Sequence, residues 1–143
     1  MTHKRLFALL IALLPVFVSS CSDDDDDDLI GNWVRTSDFD GLARGEASCF
    51  SIGNKGYLVC GYDGSKSNAR LGDLWEYDMT TDAWTQKAGF PGTARSNATA
   101  FAIDGKGYFG TGYDGENKLN DFWEYDPATN TWTQKADFPG VGR

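Results

Sequence analysis

The stretch DFWEYDPATNTWTQKADFPG at residues 121–140 repeats DLWEYDMTTDAWTQKAGFPG at 73–92, with fourteen of twenty aligned positions identical. A second pair of segments agrees in the same order, since GNKGYLVCGYDG at 53–64 aligns with DGKGYFGTGYDG at 104–115. The two offsets are 48 and 51, so the first copy carries three extra residues in the loop that contains SKSNARLG. A repeat of about fifty residues is typical of propellers and solenoids.

Each repeat contains four short runs that favour β-strands. In the first copy they are ASCFSI at 47–52, YLVCG at 57–61, DLWEYD at 73–78 and AWTQKA at 83–88. Aromatic and β-branched residues fill these runs, and Gly, Asn, Asp or Pro bounds them, as expected for hairpins. No apolar stripe with helical spacing persists through the glycines. The pattern therefore predicts a four-stranded antiparallel meander, the unit of a propeller blade.

These residues resemble kelch repeats. Strands three and four of that family carry a Tyr and a Trp, which stand here seven apart as Tyr77 and Trp84, and as Tyr125 and Trp132. The family also has a glycine pair after strand two, whereas Cys60-Gly61 and Thr111-Gly112 keep only the second glycine. We interpret this departure to mean that the first position does not need a positive φ angle in every copy.

The resemblance implies an all-β, kelch-type β-propeller of the galactose oxidase-like superfamily over residues 31–143, with blades at about 42–89 and 93–137. A partial third copy lies upstream and includes the predicted strand NWVRT at 32–36. Blades stack because each has two apolar faces, and propellers use about four to eight of them. We therefore expect the chain to be an N-terminal fragment, with missing blades, or a short form that needs oligomer partners to close the ring.

The N-terminal residues indicate export. Lys4 and Arg5 precede an apolar run from Leu6 to Val18, which is shorter than the roughly 20 residues of a membrane-spanning helix. VSSC at 18–21 resembles the lipobox of bacterial lipoproteins, which implies a signal peptide at 1–20 and a lipidated Cys21; an ordinary secretory signal is the alternative. Several acyl chains on one residue give stable attachment to a membrane.

Residues 21–30 are predicted to form an acidic tether, because the adjacent carboxylates of SDDDDDD at 22–28 repel one another. A calcium site is the alternative, although its ligands come from spaced positions. The run resembles an export signal of surface lipoproteins in some Gram-negative bacteria, which implies an outer-membrane anchor and exposure at the cell surface. Cleavage after residue 20 would change the charge from −8, with 13 basic and 21 acidic residues, to −10, with 11 and 21. Such a charge disfavours nucleic acid as a partner.

No catalytic residue, metal site or cofactor is predicted. The single histidine, His3, lies in the signal peptide, so the remainder has no imidazole for a catalytic triad or a metal. Galactose oxidase has a propeller of this type with a copper site that includes histidine, and nothing in this chain corresponds to those ligands.

Cys49 and Cys60 lie on the first two strands of one hairpin. A disulfide between them is one expectation, and two small buried thiols are the other. The tryptophans of the repeat, with Tyr77 and Tyr125, are expected to form the core between blades; a sugar-stacking platform is the alternative. These tryptophans are Trp75, Trp84, Trp123 and Trp132.

The meander places the loop after strand two and the link between blades at the same rim, which holds YDGSKSNARLG at 62–72 and YDGENKLN at 113–120. Arg44 and Arg95 approach this rim and are expected either to tie each link to a neighbouring carboxylate or carbonyl, or to grip acidic groups of a ligand. Asp63, Asp114 and Glu116 would be the internal partners or sugar-hydroxyl acceptors. The ligand-binding candidates are therefore Arg44, Arg95, Tyr62, Asp63, Tyr113, Asp114 and Glu116.

Three functions are compatible with these patterns. The favoured one is a non-catalytic, surface-displayed binding module for a glycan or a protein. The second is part of a carbohydrate-active propeller enzyme similar to sialic-acid mutarotases, and the third is a structural scaffold. The fold does not choose among them.

Overall fold

The computed structural model describes residues 34–64 and 69–143. The fold described here is that of the compact unit Arg35–Arg143. The predicted signal peptide, Cys21 and the acidic tether lie outside the described residues. Within the described part, no helix is long and apolar enough to cross a membrane.

This unit contains two four-stranded antiparallel sheets, each with its strands in chain order. The first blade consists of β1 (Ser48–Ile52), β2 (Lys55–Val59), β3 (Leu74–Asp78) and β4 (Ala83–Gln86). The second blade consists of β5 (Thr99–Ile103), β6 (Lys106–Gly110), β7 (Phe122–Asp126) and β8 (Thr131–Lys135). The predicted all-β fold with two blades is confirmed.

Two-residue turns connect the first two strands of each blade and set their register. Ile52 pairs with Lys55 across the first turn, so β2 begins two residues before the predicted strand. In the second blade, Asp104 and Gly105 have φ angles of 50° and 75°. Positive φ at both turn positions matches the right-handed twist of a hairpin, and Asp-Gly is a favoured sequence there.

Alternation along the strands gives each blade two different faces. The face that we call the Trp face holds Leu58, Trp75, Tyr77 and Trp84 in the first blade, and Phe109, Trp123, Tyr125 and Trp132 in the second. The opposite face, called the Phe face, holds Phe50, Tyr57, Val59 and Leu74 in the first blade, and Phe101, Tyr108, Gly110 and Phe122 in the second.

The main core lies where the Phe face of the first blade packs on the Trp face of the second. Tyr57 contacts Tyr125 edge to face with ring centroids 5.8 Å apart, and Phe109 is fully buried. Phe90, in the link between the blades, contacts Trp123 and Trp132 at 5.3 Å each. Removal of these aromatic surfaces from water is the dominant stabilising contribution.

One buried carboxylate also lies on the Phe face of the first blade. Glu76 accepts hydrogen bonds from the Tyr57 hydroxyl at 2.7 Å and from Lys55 Nζ at 2.6 Å. Burial and this hydrogen bond to Glu76 raise the pKa of Tyr57 above its ordinary value, so the hydroxyl keeps its proton. The Tyr57 hydroxyl and the Glu76 carboxylate thus satisfy each other within the interface between blades.

Two expectations about the first blade require correction. Residues 34–36 of the predicted N-terminal strand belong to no strand, and residues 32–33 lie outside the described part. Trp75 and Trp84 are half-buried and do not contact the other blade; the Phe39 ring covers them at centroid distances of 5.4 and 4.8 Å. The four tryptophans occupy equivalent positions in the sequence, so the sequence did not distinguish the pair that faces another blade from the pair that does not.

Candidate functional site

Isolated β-bridges join the loop after strand two to the link that precedes each blade. Tyr62 pairs with Gly45 and Arg70, and Tyr113 pairs with Ser96 and Lys118. The loops therefore emerge beside the links at one end of the blades, as the meander predicted. We call this end the rim.

Arg70 lies between the equivalent tyrosines of the two blades. Its guanidinium carbon is 4.7 Å from the centre of the Tyr62 ring and 5.3 Å from that of Tyr113. A cation over an aromatic face is attracted by the ring quadrupole, and a desolvated pair contributes up to about 2 kcal/mol. Arg70 is not among the site residues predicted from the sequence, although a basic residue recurs at the equivalent position, Lys118, in the second copy.

The rim carboxylates occupy different environments. Asp114 Oδ1 accepts hydrogen bonds from the backbone N–H of Glu116 at 2.8 Å and of Asn117 at 2.6 Å, and these bonds lower the Asp114 pKa. Glu116 is exposed, whereas Asp63 is half-buried and its backbone N–H donates to the carbonyl of Ala69. The Tyr113 hydroxyl donates to the carbonyl of Gly115 at 2.7 Å. Tyr62 and Tyr113 thus flank Arg70, and Asp63, Asp114 and Glu116 lie in the same two loops.

Arg44 and Arg95 instead point into the protein, away from the rim. Arg95 donates from Nη1 and Nη2 to the two carboxylate oxygens of Asp121 at 2.5 and 2.8 Å, and also to the carbonyl of Thr111 at 2.9 Å. Arg44 forms the same bidentate pair with Asp73 at 2.5 and 2.8 Å. The Arg95 side chain is 1% exposed and the Arg44 side chain 3% exposed, which leaves no guanidinium surface for a ligand.

The structure therefore assigns Arg44 and Arg95 to the structural alternative, with one correction. Their carboxylate partners are Asp73 and Asp121 rather than Asp63, Asp114 or Glu116. Burial opposes ionisation of Asp121, but the hydrogen bonds from Arg95 and Trp123 outweigh it and lower the Asp121 pKa. The recurring Asp-x-Trp at 73–75 and 121–123 was the signal that could have identified these partners.

The first position of the glycine pair has positive φ in both copies, at 59° for Cys60 and 61° for Thr111. The interpretation that this position does not need positive φ is therefore wrong. In this conformation the Cys60 and Thr111 carbonyls accept hydrogen bonds from Arg44 and Arg95, respectively. A non-glycine residue in this region costs of order 1 to 3 kcal/mol.

Cys49 and Cys60, the two cysteines within the described residues, are free thiols in different environments. Cys49 is exposed and its register partner is Leu58, so the expectation of two buried thiols fails for Cys49. Cys60 is buried, and burial raises the pKa of its thiol to about 12. Among residues 34–64 and 69–143, no group of His, Cys, Asp and Glu side chains is placed to hold a metal ion.

Comparison with known proteins agrees with the architecture. A family model described as the KLHDC2/KLHL20/DRC7 Kelch-repeats domain matches residues 34–140. A search of curated proteins finds no significant relative. The match includes both blades and the preceding link. The chain belongs to the kelch-repeat family.

Proposed function

We propose that the chain is a non-catalytic binding module whose rim, centred on Arg70, engages a protein partner. The observation that carries this proposal is the stack of Arg70 between Tyr62 and Tyr113, because it joins the loops of two blades into one surface. Loops held on a rigid scaffold are a common location for binding residues. Membership of the kelch-repeat family also supports a role as an interaction module.

The partner surface that best fits this rim is basic. Glu116 is exposed, and Asp63 and Asp114 lie beside the tyrosines, so the rim offers carboxylates for lysine and arginine side chains. The net charge of −8 for the whole chain adds long-range attraction for a cationic partner. Tyrosine and arginine are also enriched in protein interfaces.

Binding to an array of random peptides, with a glycan array in parallel, tests this proposal. We expect lysine-rich and arginine-rich peptides to bind, and we expect Glu116→Gln and Arg70→Gln to weaken that binding. Asp104→Asn is the matched control, because it also neutralises one exposed acid but lies in the β5–β6 turn at the opposite end of the blade. Binding to glycans alone, or peptide binding that both rim variants leave unchanged, would contradict the proposal.

We further propose that the module is lipidated at Cys21 and displayed on a bacterial outer membrane. The motif VSSC at 18–21 and the acidic run that follows it support this location. Cells fed labelled palmitate should incorporate it into the wild-type chain and not into Cys21→Ser. Added protease should then remove the protein from intact cells, and protection of the chain in intact cells would contradict surface display.

A further inference from the structure

An open cavity on the Phe face of the second blade is lined by residues whose counterparts in the first repeat form the main core of the protein. Six of its lining residues are Phe101, Gly110, Thr111, Phe122, Phe138 and Arg143. Their counterparts one repeat earlier are Phe50, Val59, Cys60, Leu74, Phe90 and Arg95, and all of these are buried. The same set of positions is therefore covered in the first blade and open in the second.

The residues that pack on the Phe face of the first blade show what kind of surface would fit the open cavity. The second blade presents the Phe109 and Trp132 side chains, a glycine under the Phe50 ring, and Asp121 for the Arg95 guanidinium. The Arg143 guanidinium lies 4.5 Å from the Phe138 ring centre, as Arg95 lies over Phe90, but it has no ion pair within the described part of the chain. The occupant must therefore bring an aromatic face, a glycine and a carboxylate.

The Trp face of the first blade carries this combination. Leu58 and Trp84 line an open hollow there, and Asp73 corresponds to Asp121. A Cβ placed on Gly107 would overlap the Phe50 ring, whereas a Cβ placed on the equivalent Gly56 meets nothing within 4 Å. The space that receives Phe50 in the second blade is thus empty in the first.

We propose that a second copy of this chain fills the cavity, with the second blade of one copy docked on the first blade of the other. Phe101 then packs on Gly56, and Arg143 pairs with Asp73. The contact is heterologous, so repetition of it gives rings or filaments.

The docking requires an exchange of segments. Phe39 and Arg44 occupy the position over Trp84 and Asp73 in their own copy, as Phe90 and Arg95 do over the second blade. Phe138 and Arg143 of the incoming copy take their place and make the same ring contacts and the same bidentate ion pair. Because the exchanged contacts are equivalent, the net gain comes from burying the two apolar blade faces.

Sedimentation equilibrium of the full chain over a wide concentration range tests the proposal. We expect the mean mass to rise with concentration. Gly56→Val should weaken association by about tenfold or more, because its side chain fills the space that Phe101 needs while a β-branched residue suits a strand. Met79→Val, an exposed change in the β3–β4 turn, should leave association unchanged. A monomer at every concentration, or association that Gly56→Val leaves intact, would overturn the proposal.

Thiol alkylation of the wild-type chain gives a second readout that needs no variant. Cys49 is exposed and lies on the Trp face of the first blade, so docking should cover it and slow its alkylation as concentration rises. Cys60 is buried in the single copy and should react slowly at every concentration. A rise in mass with no change at Cys49 would show that another surface associates, which would overturn this geometry.

Discussion

The Phe50 ring of the first blade lies directly over Gly107 of the second, in the space that any Cβ at that position would occupy. This contact ties the packing of the blades to a single missing side chain. It also explains why a buried glycine lies within β6 at position 107, since glycine is otherwise unfavourable in a strand.

Gly107→Ala should therefore destabilise the protein by about 1 to 3 kcal/mol, because the added methyl group forces the Phe50 ring or the β6 backbone to move. The free energy of unfolding in urea is the measurement. Gly56→Ala is the matched control in the first blade, where the same methyl group meets open space and should change stability little. Equal effects of the two substitutions would contradict this account of the interface.

Arg95→Met should cost about 3 to 5 kcal/mol, since it leaves the partly buried Asp121 carboxylate without its cation. Arg35→Met is the control, because the Arg35 and Asp38 side chains are 83% and 85% exposed and such surface pairs contribute about 0 to 1 kcal/mol. Both values come from urea unfolding midpoints at neutral pH. A loss as small at Arg95 as at Arg35 would show that the pair adds nothing to the link.

Acid should weaken the protein through the same pairs. The folded-state pKa values of Asp73 and Asp121 lie below the unfolded value of about 3.9, so their stabilising contribution is complete above that pH. It is lost as pH falls through the folded-state values, because protonation removes the charge that the guanidinium pairs with. Stability measured from about pH 5 to pH 2 should decline less steeply for Asp121→Asn than for the wild type. Parallel curves would contradict the assignment.

Thr111→Gly should raise stability by about 1 kcal/mol. Glycine tolerates the φ angle of 61° without steric cost, and the change also removes a buried Thr111 hydroxyl that has no hydrogen-bond partner. Cys60→Gly relieves the same backbone conformation but removes a well-packed thiol, so its gain should be smaller. Thermal midpoints compare the two, and a loss of stability in Thr111→Gly would show that the conformation carries little strain.

Alkylation of the dilute protein at pH 8 should modify Cys49 and spare Cys60. The raised pKa of about 12 keeps the Cys60 thiol protonated, and burial blocks access to it. Mass spectrometry of the tryptic peptides distinguishes the two sites. In urea both cysteines should react, and fast reaction of Cys60 in the folded protein would contradict its burial.

Local patterns were sufficient to predict the repeat, the four strands of each blade and their pairing, because alternating apolar residues and turn residues act within one blade; the strand predicted at 32–36 lacked such a partner pattern. The rim followed from topology alone. Which carboxylate meets Arg95 did not follow from patterns within one hairpin, since 26 residues separate Arg95 from Asp121. The recurrence of Asp-x-Trp in both copies was the signal in the sequence that pointed to this partner. Arg70 was missed because its two tyrosine contacts belong to different blades.

The ion pair between Arg95 and Asp121 indicates where one repeat unit begins. The arginine lies in the link before a blade, and its aspartate precedes the third strand of that blade. A duplicated gene segment that begins just upstream of the link therefore encodes both residues of the ion pair. Insertion or deletion of a whole unit in this frame leaves every pair matched, whereas a cut between link and blade separates the charges. Repeat units bounded at the link can therefore be gained or lost while each arginine keeps its aspartate partner.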